Sequence, residues 1–122
     1  MVTGMRRPSL ELYLLPIMDA EKEGRNPKTG AIARELGVSP SSASEACARL
    51  ARRGLLQWSP YHGIRLTESG RAVAENLSWK CRVLTDFLKL LGMSEKEARE
   101  GAWKLASSIS DECVSSLEKI LG

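Results

Sequence analysis

Between residues 34 and 65 the sequence gathers side chains suited to one kind of chemistry. Ser39, Ser41, Ser42, Ser44 and Glu45 are followed by Arg49 and Arg52, with Arg34 ahead of them and His62 and Arg65 behind. Short hydroxyls and a carboxylate suit the edges of bases, and guanidinium groups suit phosphates. Taken singly, each has a plainer reading, since serines cap helices and arginines sit on solvated faces. Taken as a set they form a candidate surface for duplex DNA. The three cysteines, Cys47, Cys81 and Cys113, are odd in number, far apart and without a CxxC pair, which argues against a disulfide framework or a structural zinc site. His62 is the sole histidine and lies far in sequence from every thiol. With no GxSxG, no phosphate-binding glycine loop and no HExxH, the chain reads as a protein that is not an enzyme and has no cofactor.

The elements that carry this set follow from local signals. Ser9 opens a first helix running toward Gly24, interrupted by Pro16, with a kink or a late start expected there. Ala31 to Leu36 form a short helix closed by Gly37. Ser39-Pro40 then pairs a cap with a first-turn proline, and Ala43, Cys47 and Leu50 set the buried stripe of the next helix. The serines, Glu45 and the arginines fall away from that stripe. After Gly54, Leu55–Trp58 and Ile64–Leu66 flank a Ser-Pro-Tyr-His-Gly turn, which predicts a hairpin with His62 at its tip.

Thr67 begins a long amphipathic helix striped by Val73, Leu77, Cys81, Leu84, Leu88 and Leu91 and stopped by Gly92. Ser94-Glu95-Lys96-Glu97 is a capping box for a fifth helix, and Ser110-Asp111 opens a sixth. Helix, tight turn, helix and hairpin is the order of a winged helix-turn-helix. The expected fold is therefore mainly α: a winged head over residues 1–72, with a small two-stranded wing, and a helical dimerisation region over 73–122.

The bulk properties agree. A chain of 122 residues, 43% hydrophobic and 27% charged, holds one core or a head with a helical appendage. No apolar run is long enough to cross a membrane and none resembles an export signal, which with the cysteine usage suggests a cytoplasmic protein. The net charge is only +3, but residues 1–72 carry 11 Lys/Arg against 7 Asp/Glu and the remainder 7 against 8. The basic half is the one with the candidate DNA surface.

The stretch from SPSSASEACARLARRGLLQWSPYHGIRLTESGRAVAENL through GMSEKEAREGAWKLASSISDECVSSLEKILG resembles the diphtheria toxin repressor and manganese transport regulator family. Its most specific pieces are Leu66-Thr67-x-x-Gly70, the turn from Leu91 to Ser94, and Ile109 to Glu112. The resemblance implies a winged DNA-binding domain, a helical dimerisation domain, and repression of metal-uptake genes when iron or manganese binds. It also implies the short form of the family, without a further β domain.

The metal chemistry that the resemblance implies is missing. The two first-helix positions where manganese-type members place acidic ligands are Leu12 and Leu15, and the histidine expected in the long helix is Cys81. The acidic or cysteine ligand, the glutamate and the histidine of the next helix fall on Trp103, Ala106 and Ser107. Manganese and iron favour carboxylate and imidazole ligands, so no metal site is expected here. The resulting reading is a homodimeric, sequence-specific regulator, most simply a repressor, bound to an inverted-repeat operator without the usual metal. Two alternatives stand beside it: a metal- or thiol-responsive repressor with a remodelled site around Cys81, and a dimerisation module that has lost DNA binding.

Overall fold

The computed structural model describes residues 8–59 and 63–122, so His62 lies outside the described residues. A single 3-10 turn, Leu10–Tyr13, leads into α1 (Leu14–Lys22), followed by α2 (Thr29–Leu36) and α3 (Pro40–Arg52). Strands β1 (Leu56–Ser59) and β2 (Gly63–Leu66) precede the 23-residue α4 (Glu68–Leu90), and α5 (Glu95–Ala106) and α6 (Asp111–Leu121) complete the chain. Three helices and a two-stranded hairpin, followed by three further helices, make a mainly α winged-helix head with a helical region after it.

The start of the first helix differs from the reading above. Ser9 provides no side-chain cap, and the backbone is 3-10 before it becomes α-helical at Leu14. Proline accounts for this, because Pro16 has no N–H to give the carbonyl of Leu12 and its ring crowds that carbonyl. Starting the α-helix at Leu14 puts Pro16 in the first turn, where the missing donor costs nothing.

Elsewhere local chemistry fixes the ends. Gly37 closes α2 at φ 69° and Gly54 turns the chain after α3 at φ 77°, a left-handed conformation that glycine adopts without steric cost. Ser39 accepts a hydrogen bond from the Ser42 amide at 3.1 Å, with Pro40 as the first residue of α3. Ser94 and Glu97 complete their capping box, and Ser110 accepts from the Cys113 amide.

The chain divides into two compact units inside α4, the first running to Ala74 and the second from Glu75 to Gly122. In the first unit, Leu14, Ile17 and Met18 of α1, Ile32 of α2, Ala43, Cys47 and Leu50 of α3, and Ile64 of the hairpin share one core. In the second, polar ties join α4 to α6. Lys80, the one buried charged residue among those described, donates to the Ile109 carbonyl at 2.5 Å and pairs with Asp111 at 3.0 Å. Trp79 donates through Nε1 to Glu118.

The wing pairs antiparallel, Leu56 opposite Leu66 through Ser59 opposite Gly63. Its exit into α4 is the tightest place in the head. The Thr67 hydroxyl donates to the Gly54 carbonyl at 2.6 Å and accepts from the Gly70 amide at 3.0 Å, capping α4. A Cβ on Gly70 would lie 1.9 Å from the Leu55 carbonyl oxygen. Gly70→Ala is therefore expected to destabilise the head by at least about 2 kcal/mol despite alanine's better helix propensity, seen as a lower urea midpoint. An unchanged midpoint would mean that this contact is not tight in solution.

Candidate nucleic-acid interface

The geometry of α3 decides which of its side chains can meet a partner. At 100° per residue, Ala43, Ala46, Cys47 and Leu50 fall on one side and are buried. Ser41, Ser42, Glu45, Arg49 and Arg52 share an exposed arc of roughly 100° on the other. The arc extends over about 15 Å of helix, a length that fits a major groove. Ser44 sits off this arc and is half-buried. Ser39 is exposed but engaged, since its hydroxyl caps α3 and donates to the Ser42 hydroxyl at 2.9 Å.

Beside the arc lies an open cleft of about 300 Å³. Ser39, Ser42, Glu45 and Arg49 form one wall, and Pro8, Leu10 and Tyr13 contribute from the start of the chain. The sequence reading did not bring those last three residues to the site, because nothing local ties an apolar first turn to a helix some thirty residues on.

Charge pairing separates the arginines into two sets. Arg25 is paired with Glu23, Arg53 with Glu11 and Arg71 with Glu21. Among the described residues no ion pair engages Arg34, Arg49, Arg52 or Arg65, and all four are exposed. Arg34 stands in the last turn of α2 and Arg65 on the solvent side of β2. The cap of α3 adds the partial positive charge of a helix N-terminus next to these cations. An exposed polar helix face flanked by four uncommitted guanidinium groups is suited to a polyanion.

The chain is similar in sequence and fold to known proteins. Residues 5–64 match the iron dependent repressor N-terminal DNA binding domain, and residues 67–122 match the iron dependent repressor metal binding and dimerisation domain. The chain belongs to the iron-dependent repressor family. That family consists of metal-dependent, DNA-binding transcriptional regulators that dimerise, and its members are not enzymes. An uncharacterized HTH-type transcriptional regulator of Methanocaldococcus jannaschii is 38% identical, over 90% of this chain and 90% of that protein. The transcriptional regulator MntR of Escherichia coli is 30% identical, over 88% of this chain and 69% of its own length. The structure of the manganese regulator SloR superposes with a TM-score of 0.87 at 29% identity, covering 94% of this chain and 54% of SloR. The chain thus spans about half the length of that regulator.

The residues that the resemblance aligns with the family's metal ligands do not fit manganese or iron. Leu12 and Ala106 are fully buried, Leu15 and Trp103 are half-buried, and only Cys81 and Ser107 bring a donor atom at all. Burial pushes the Cys81 thiol up to about 11, away from the thiolate that metals bind. Among the described residues no group of three or more His, Cys, Asp or Glu is placed to hold an ion. No helix among them is long and apolar enough to cross a membrane.

Burial likewise holds the Cys47 thiol at about 11, whereas Cys113 is exposed. A thiol raised by two units carries about a hundredth of the thiolate at neutral pH. Iodoacetamide on the native protein near pH 7.5 is therefore expected to modify Cys113 and to leave Cys47 and Cys81 at least about a hundredfold slower. All three should react in denaturant, as read by intact mass. Equal labelling of Cys81 and Cys113 in the native protein would restore a reactive thiol at the family's metal position.

Proposed function

We propose that this protein is a cytoplasmic, homodimeric transcriptional repressor that reads an inverted-repeat operator with α3 and contacts its backbone with the wing. Its DNA-bound form does not depend on manganese or iron at the family's site. The observation that carries the DNA reading is the exposed arc of Ser41, Ser42, Glu45, Arg49 and Arg52 beside the unpaired Arg34 and Arg65. Ser39 supports this surface as the cap of α3, Ser44 stands outside the arc, and His62 precedes Arg65 by three residues in sequence. The arginines supply phosphate contacts, while Ser42 and Glu45 face the base edges.

Dimerisation is supported by what the second unit leaves uncovered. Leu90, Leu91 and Ile120 are between 64% and 72% exposed in the single chain, and Leu105 is 46% exposed. Large aliphatic side chains in a dimerisation domain gain most by meeting a second copy. Two-fold symmetry then requires two recognition helices related by a dyad, which is the source of the inverted repeat.

Metal independence rests on the donor set. With Leu, Trp and Ala at positions that the resemblance aligns with the ligands, the described residues offer no cluster of carboxylates for a cation to neutralise.

The test is fluorescence anisotropy with duplex DNA from upstream of the protein's own gene, in excess chelator and then with manganese or ferrous iron. Tight, salt-sensitive binding unaffected by the metal is expected. Binding that appears only with metal would overturn the metal-independent reading, and no binding in either condition would overturn the DNA reading.

Substitutions divide the surface further. Arg49→Ala and Arg52→Ala should each weaken all duplexes by roughly fivefold and reduce the salt dependence by about one ion. Ser42→Ala and Glu45→Ala should change which sequence is preferred, with discrimination moving by about 1–3 kcal/mol at one base pair. Uniform effects from both pairs would remove α3 as the reading element.

A further inference from the structure

A two-stranded hairpin is marginally stable on its own, so the angle at which the wing meets DNA has to be imposed by something outside it. The polar part of that support comes from α1. Glu21, in the last turn of α1, is mostly buried, with a fifth of its side chain exposed. Its Oε2 accepts a hydrogen bond from the Leu66 amide at 2.8 Å, at the end of β2. Its Oε1 accepts from Arg71 Nη2 at 2.7 Å, in the first turn of α4. One carboxylate thus joins α1 to the strand next to Arg65 and to the helix the wing runs into.

The other end of β2 lies close to the same stretch of chain. Gly63 has φ +80°, and a Cβ there would lie 2.8 Å from Asn26 Oδ1. The strand carrying Arg65 is therefore hydrogen-bonded to α1 at one end and lies close to Asn26 at the other. Pairing with Arg71 also neutralises the carboxylate, which would otherwise repel phosphates near the wing.

We infer that Glu21 is the positioning residue of the wing: through the Leu66 amide it fixes where Arg65 stands relative to α3, and thereby sets the wing's share of DNA affinity. This inference rests on the DNA-binding reading above and adds a residue that does not itself face the duplex. It differs from a purely structural role because its effect on DNA must pass through Arg65.

A double-mutant cycle on the full chain separates the two roles. Arg65→Ala, Glu21→Ala and the double variant are titrated by anisotropy against the duplex bound above, across a salt series. Arg65→Ala should weaken binding by roughly fivefold and lower the salt slope by about one. Glu21→Ala should do the same, and the double variant should be no weaker than either single one. Glu21→Gln, whose amide oxygen can still accept from Leu66, should recover most of the loss.

Losses that multiply in the double variant, or a Glu21→Ala protein that binds like the wild type, would overturn the inference and leave the DNA reading standing. An Arg65→Ala protein with wild-type affinity would instead overturn the wing contact, and this inference with it. Where Glu21→Ala does not fold, as read by circular dichroism, Glu21→Asp is used in its place. Its shorter arm cannot span Leu66 and Arg71 together, and the same coupling to Arg65 is required of it.

Discussion

The approach of Gly70 to the Leu55 carbonyl is the contact on which the rest of the head depends. With a hydrogen in place of a side chain, the first turn of α4 can lie against the backbone leaving α3, and Thr67 can reach both the Gly54 carbonyl and the Gly70 amide. Those bonds fix the point where the wing returns to the helical body. Glu21 then takes the next donors along the chain, the Leu66 amide and Arg71. The end of α3, the wing and the start of α4 are therefore positioned at one junction, and the side chains that make it lie away from the exposed arc of α3.

Charge follows the same division between holding and binding. Three arginines are consumed by carboxylates within the head, and these pairs are partly exposed, so each adds little stability. Among the described arginines of the head, Arg34, Arg49, Arg52 and Arg65 have no such pair and are exposed to an approaching anion. A net charge of +3 understates the field this produces, because the acidic excess lies in the second unit and exposed charges beyond roughly 8–10 Å are screened at physiological salt. Local arrangement, not the total, determines what approaches α3.

Much of the fold could be read from the sequence because its signals are local. Ser39-Pro40, Gly37, Gly92 and the Ser94–Glu97 box act within a turn of their own position, and each marks a helix end that the structure contains. The start of the chain was harder. A serine before an apolar run looks like a cap, but Pro16 four residues past Leu12 forces the 3-10 turn first. Contacts between distant residues left no signal. Glu21 looks like any solvent-facing glutamate of an amphipathic helix, and the donors it accepts from lie 45 and 50 positions away. The cleft wall of Pro8, Leu10 and Tyr13 was hidden for the same reason, and the partial burial of Ser44 depended on the exact phase of α3.

On the proposed reading, in which hydrocarbon stands where the family's ligands would be, the energetics of control also change. A regulator that binds an ion in its active form is stabilised by an amount that grows with the logarithm of ion concentration over its dissociation constant. Without ion, its clustered carboxylates repel one another. Here Leu12 and Ala106 are fully buried with no charge to neutralise, so their burial is favourable at any ion concentration. On the proposed reading, the active form is then always available to the chain. On that same reading, occupancy of the operator is governed by how much protein is present and how readily its exposed Leu90, Leu91 and Ile120 find a second copy. For a dimer in equilibrium with monomer that dependence is steeper than linear, so the amount of protein can replace the ion as the controlling variable.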